Sequence, residues 1–160
     1  MPIQKTVQEL AKKLLQRGEK LCTAESCTGG LIAKTLTDLA GSSAWFERGF
    51  VTYSNQAKTD MLSIPAILID EYGAVSEAVA SAMLNGALRQ SVADYAIAVT
   101  GVAGPGGGSD EKPTGTVWIA VGSKNHQVAR RYIFPGNRDE VRQATLHTAL
   151  QTLLDMLSIQ

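Results

Sequence analysis

The strongest constraint on the fold is the uncharged run Tyr95 to Thr100, followed at once by a glycine-rich stretch from Gly101 to Gly115. A strand with one face in water alternates apolar and polar residues. A run without that alternation belongs in the middle of a sheet covered on both faces by helices. The rest of the chain supplies the helices. Val7, Leu10, Ala11, Leu14 and Leu15 recur at helical spacing before a stop at Gly18, and Lys20 to Ala24 reads as a short strand. Thr28 and Gly29 open a second helix through Leu31, Ile32, Leu36 and Leu39, closed at Gly41. Phe46 to Ser54 then reads as a strand.

Further on, Asn55 to Leu62 predicts a short helix, Pro65 interrupts it, and Ala66 to Tyr72 predicts another that ends at Gly73. Ser76 with Glu77 behind it caps a longer helix to about Ser91. Thr116 to Val121 and Gln127 to Phe134 read as strands of a hairpin around Gly122 to His126, and Arg138 to Leu157 as a terminal helix. Each amphipathic helix must bury its stripe, so the fold class is α/β, a three-layer α/β/α sandwich with a mixed central sheet. At 160 residues the expectation is one domain, residues 1–160.

Fifteen basic and fifteen acidic residues leave no net charge, which argues against nucleic acid as a partner, since phosphate-backbone binding leaves a basic footprint. No apolar run approaches the roughly 20 residues that span a bilayer, so no membrane partner is expected. Met1 to Lys13 lacks a signal-peptide apolar core and reads as an amphipathic helix, so a cytoplasmic location is expected. Cys22 and Cys27 have no cluster of metal-ligand spacing beside them; a reduced protein with small buried packing thiols is expected, with no metal and no cofactor. The amphipathic terminal helices permit a homo-oligomer, a dimer first.

Ligands of such sheets sit at the carboxyl ends of strands, and three junctions carry unusual chemistry. In Ala24-Glu25-Ser26-Cys27-Thr28-Gly29-Gly30 a strand turns into a helix through hydroxyl residues and paired glycines. Its free N–H groups suit an anion, while Ser26 or Thr28 as an ordinary helix cap is the alternative. In Gly41 to Lys58 a serine pair, Ser42 and Ser43, precedes a strand, and Tyr53 and Lys58 follow it. A desolvated lysine can act as the base for a serine nucleophile, but the same residues also read as a turn and a solvated lysine. In Thr100-Gly101-Val102-Ala103-Gly104-Pro105 the glycine-rich loop allows close approach of a ligand, without the spacing of a phosphate or dinucleotide loop. Ser109-Asp110-Glu111-Lys112 matches an S-x-x-K string in a loop, where that string has no catalytic meaning. His126 and His147 lack acidic partners. Arg138, after Pro135-Gly136-Asn137, could clamp a phosphate, with Arg142 four residues on.

Together, Ala24 to Gly30, Gly49 to Lys58, Gly73-Ala74-Val75-Ser76 and Thr100 to Pro105, followed by Lys112-Pro113-Thr114-Gly115-Thr116, resemble the CinA C-terminal-domain family over nearly the whole chain. Thr114, where Val is commoner, and Leu84, where Ala is, depart from the pattern away from the chemistry. The resemblance implies a stand-alone amidohydrolase converting nicotinamide mononucleotide to nicotinate mononucleotide and ammonia; a silent nucleotide-binding paralogue on the same scaffold is the alternative. Longer relatives carry an additional N-terminal domain.

The resemblance puts polar site residues at Ser26, Ser43, Tyr53, Lys58 and Thr100. On this reading neutral Lys58 takes the proton of Ser43, whose oxygen attacks the amide, and Tyr53 relays or orients that proton; Ser26 is the next candidate for the nucleophile. Thr100, with backbone donors near Gly101, stabilises the oxyanion. Thr28, Gly29 and Gly30 at the helix end, Gly104 in the loop, and Arg138 hold the small-molecule nucleotide and its phosphate.

Overall fold

A computed structural model of the chain describes residues 1–159. In chain order the elements are α1 (Ile3–Arg17), β1 (Leu21–Glu25), α2 (Leu31–Thr37), a 3-10 turn (Ser42–Ala44), β2 (Phe46–Val51), α3 (Asn55–Leu62), α4 (Ala66–Tyr72), α5 (Glu77–Arg89), β3 (Tyr95–Gly101), β4 (Thr116–Gly122), β5 (Gln127–Ile133) and α6 (Arg138–Ile159). The strands form one mixed sheet in the order β2-β1-β3-β4-β5. The pairs of β1 with β2 and with β3 are parallel, and those of β3 with β4 and of β4 with β5 are antiparallel. The expected α/β/α sandwich is present, and the Tyr95–Thr100 run is its middle strand.

Alternation within β3 explains the two layers. Tyr95, Ile97 and Val99 join a cluster with Leu10, Leu14, Ile32, Val141 and Leu150 of α1, α2 and α6. Ala96 and Ala98 face a second cluster with Leu62, Ile69, Val79 and Met83 of α3, α4 and α5. Large side chains therefore hold one helical layer off the sheet, and alanines let the other approach closely. Within that second layer Gly86 lets α5 approach α3 closely, since a Cβ there would lie 2.5 Å from the Leu62 carbonyl oxygen. Each fully buried leucine or isoleucine contributes roughly 1.5–3 kcal/mol, so both faces bind the helices strongly.

Caps set the element ends. Gly18 closes α1 at φ +63°, as its position predicted. Ser76 Oγ accepts from Val79 N at 3.2 Å and starts α5. Ser54 Oγ accepts from Ala57 N at 3.0 Å, which starts α3 and ends β2 at Val51, three residues before the predicted Ser54. The second helix is shorter than expected. It spans only Leu31–Thr37, because Cys27 to Gly30 are spent on a turn with left-handed Gly29 and Gly30 at φ +59° and +105°.

Candidate functional site

Parallel strands β1 and β3 and the end of β2 deliver three loops to one edge of the sheet, around a cavity of about 220 Å³. Ser26 directly follows β1, and its N–H is fixed to the Val99 carbonyl of β3 at 3.1 Å. Lys58 lies one turn into α3 and shares the buried face with Leu62, four residues on. Its Nζ lies 3.1 Å from Ser26 Oγ, 3.1 Å from the Thr52 carbonyl oxygen and 3.4 Å from that of Tyr53. The lysine is 1% exposed, and among the described residues it has no ion-pair partner.

Burial without a counter-ion pushes the Lys58 ammonium below the ordinary lysine range, with Cys27 acting weakly the other way. The neutral amine has two donors and one lone pair. In the structure Lys58 Nζ donates to Ser26 Oγ, whose own proton points to the Tyr53 carbonyl at 3.5 Å; once the amine is neutral and its two N–H bonds go to the two carbonyls, its lone pair can take the Ser26 hydroxyl proton. Cys27 also lines the cavity, but burial lifts its thiol to about 12, so at neutral pH it is not a thiolate nucleophile. Cys22 is likewise buried and pushed up to about 11, in keeping with packing roles for both.

The glycine turn differs from the expected anion cradle. Glu25, the last residue of β1, is 0% exposed. Its carboxylate accepts from Thr28 Oγ1 at 2.6 Å, Ile32 N at 2.9 Å and Ala33 N at 2.9 Å. The start of α2 therefore already holds an anion belonging to the chain, and Thr28, buried, points to it rather than to the cavity. Gly29 and Gly30 supply the left-handed turn. Arg142 of α6 braces the same turn, donating from Nη2 to the Thr28 carbonyl at 2.7 Å. The N–H groups of Cys27 and Thr28 have no backbone acceptor among the described residues.

At the cavity mouth Arg138 donates to the Gly104 carbonyl at 2.7 Å and to the Tyr53 hydroxyl at 2.9 Å. The Tyr53 ring is 60% exposed. Its phenol thus meets Arg138 and not Lys58, so the expected proton relay has no geometric basis; the contact with Lys58 is through the backbone carbonyl. Thr100 lines the cavity, but its hydroxyl donates to the Ala74 carbonyl at 2.9 Å, so its proton is committed to the wall and not to an oxyanion. Gly101 ends β3 where a Cβ would lie 2.7 Å from Val117 Cγ2, a packing requirement. Gly104, at φ +89°, shapes the loop that receives Arg138.

The model of the CinA C-terminal domain matches residues 3–157. The chain belongs to that family. Among its relatives, the nicotinamide-nucleotide amidohydrolase PncC of Escherichia coli (strain K12) is 52% identical over 147 residues, which cover 91% of this chain and 89% of that protein. The protein of the same name from Pseudomonas putida is 48% identical over 155 residues, 97% of each chain. The crystal structure of the competence/damage inducible protein CihA from Agrobacterium tumefaciens superposes with a TM-score of 0.94 at 46% identity, covering 98% of this chain and 95% of that one.

In this member of the CinA C-terminal domain family, Ser43 does not join the site. It sits exposed in the 3-10 turn before β2, whereas Lys58 follows β2. The six residues of β2 separate them by about 20 Å along the strand. The expectation of a Ser43–Lys58 pair is therefore corrected to Ser26–Lys58. Asn55 and Val75, which also line the cavity, lie inside the motifs Gly49 to Lys58 and Gly73 to Ser76 but carried no signal of their own there. Glu25 had a signal, an acidic residue closing an otherwise uncharged strand, that the reading of Ser26 and Gly29 passed over.

Proposed function

We propose that this chain hydrolyses the carboxamide of nicotinamide mononucleotide to nicotinate mononucleotide and ammonia, with Ser26 as nucleophile and Lys58 as base. The carrying observation is the buried Lys58 Nζ, without an ion-pair partner among the described residues, at 3.1 Å from Ser26 Oγ. The names of the E. coli and P. putida relatives supply the substrate class and speak against a silent binding module.

Neutral Lys58 takes the Ser26 proton as Oγ attacks the amide carbon. The tetrahedral oxyanion lies against the N–H groups of Cys27 and Thr28, each worth about 3 kcal/mol in such a role. The Lys58 ammonium returns its proton to the leaving nitrogen, and ammonia departs. Water, giving a proton to Lys58, then attacks the Ser26 ester; Lys58 passes that proton to the departing Ser26 Oγ, which restores the hydroxyl and the neutral amine as the carboxylic acid leaves. Arg138 stands where the 220 Å³ cavity meets a neighbouring hollow of about 470 Å³ lined by Gly104, Pro105 and Thr114. It holds the phosphate while the amide reaches Ser26.

No helix among the described residues is long and apolar enough to cross a membrane; with a phosphorylated small-molecule substrate this fits a cytoplasmic enzyme that takes neither nucleic acid nor membrane as partner. A homodimer remains the first oligomer to test, by light scattering. Ammonia release from nicotinamide mononucleotide, with nicotinate mononucleotide identified by mass, tests the activity. Folded wild-type protein that releases none would refute the proposal.

A further inference from the structure

We infer that Glu25 is a positioning residue for the reaction, fixing Ser26 and Lys58 relative to one another through both its side chain and its carbonyl. The inference rests on the Ser26–Lys58 reading above. The segment that carries Ser26 is intrinsically loose: it leaves β1 and passes through a turn whose last two residues, Gly29 and Gly30, lie in the left-handed region. Glu25 spans that turn. Its carboxylate grips Thr28 Oγ1 within the turn and the N–H groups of Ile32 and Ala33 beyond it, so the residue immediately before the nucleophile is tied to the helix immediately after it. Its carbonyl oxygen accepts from Thr52 N at 2.8 Å, and the Thr52 carbonyl in turn accepts from Lys58 Nζ at 3.1 Å. One residue thus anchors both reacting groups.

A fully buried carboxylate is costly unless every oxygen is bonded, and here three donors, two of them from a helix N-terminus, meet that requirement. Glutamine keeps the length but presents an NH2 group to one of the two N–H donors. Aspartate keeps the charge but withdraws it by one methylene. Neither can reproduce the three bonds, and reacting groups displaced by even a fraction of an ångström lose rate far more than affinity.

The test measures ammonia release from nicotinamide mononucleotide by full-length wild type, Glu25→Gln, Glu25→Asp and Thr28→Val. A core variant away from the site, Leu150→Ala, serves as a stability control. The expected result is a fall in kcat of about 10-fold or more for both Glu25 variants and about 3-fold for Thr28→Val. KM should stay within about 3-fold and the midpoint of the pH–rate profile should not move, while folded Leu150→Ala keeps its kcat. Should Glu25→Gln fail to fold, Thr28→Val, nearly equal in volume, decides alone. Wild-type kcat in folded Glu25→Gln or Thr28→Val overturns the inference, as does a shifted pH midpoint with the limiting kcat intact. An inactive wild type overturns the proposed function instead.

Discussion

Ser26 and Ser43 stand at opposite ends of two neighbouring strands, and the contrast between those ends separates a serine set against a buried amine from one in an exposed turn. β1 and β2 run parallel, with Leu21 beside Phe46 and Glu25 beside Val51. The residue after β1 and the residues after β2 therefore share an edge, while the residue before β2 is carried to the far edge. At the near edge Ser26 is 8% exposed and meets a buried amine. At the far edge Ser43 lies in a solvent-exposed 3-10 turn. Fifteen residues separate Ser43 from Lys58, and thirty-two separate Ser26 from it. Strand direction, not sequence distance, decides which serine the lysine can reach.

The largest effects are expected at the near edge. Ser26→Ala should lower kcat by about 10³-fold or more while leaving substrate binding measurable, because on the proposed reading it removes the attacking atom. Lys58→Arg should do the same, since a guanidinium does not give up its proton near neutrality. The wild-type kcat/KM should rise with pH along a limb whose midpoint lies below the ordinary lysine value of about 10.4, because burial depresses the Lys58 pKa. Linkage gives the matching stability sign. Between the depressed folded value and the unfolded one, the unfolded chain binds more protons, so stability rises with pH through that window. Lys58→Met, inactive, is therefore expected to be as stable as wild type at pH 7 or more so, by about 1 kcal/mol, or roughly 2–4 °C in Tm. A melting point lowered by several degrees would contradict the desolvation account.

An intermediate effect is expected at the mouth. Arg138→Ala loses the guanidinium that joins Gly104 to Tyr53 and, on the proposed reading, the phosphate. Steady-state assays should give KM raised about 10-fold or more with kcat changed much less, the pattern of lost uniform binding. Tyr53→Phe, which removes only the phenol partner of Arg138, should raise KM about 2- to 3-fold. A loss of kcat comparable to that of Lys58→Arg would restore the proton-relay role that the geometry withholds.

Much of this fold was legible because periodicity reports burial directly. The run from Tyr95 became the middle strand, Gly18 and Ser76 set helix ends as their chemistry requires, and the hairpin closes where Ser123 N donates to the His126 carbonyl. Lys58 was only half legible. A lysine on a short, weakly amphipathic helix reads as solvated, and its burial follows from Ser54 turning α3 over the end of β2 so that Lys58 and Leu62 face inward together. Glu25 was missed for a different reason. Paired glycines after a strand advertise free helix donors, but the pattern does not say whether a ligand or a neighbouring carboxylate will take them. The same ambiguity misassigned Gly29 and Gly30, whose left-handed φ angles serve the turn itself.

The smallest expected effect is the sharpest test of the comparison. Ser43→Ala removes a hydroxyl that makes no hydrogen bond among the described residues, from an exposed turn whose conformation is set by Gly41 at φ +82°. Surface changes of this kind stay within about 0.5 kcal/mol, and kcat/KM should stay within about 2-fold. The double variant Ser26→Ala/Ser43→Ala should then match Ser26→Ala alone, since a residue outside the reacting unit adds nothing to its loss. A 10-fold deficit in Ser43→Ala with an unchanged melting point would break the comparison. Within one chain β2 holds Ser43 away from Lys58, so such a deficit would mean that the site takes this serine from a second copy.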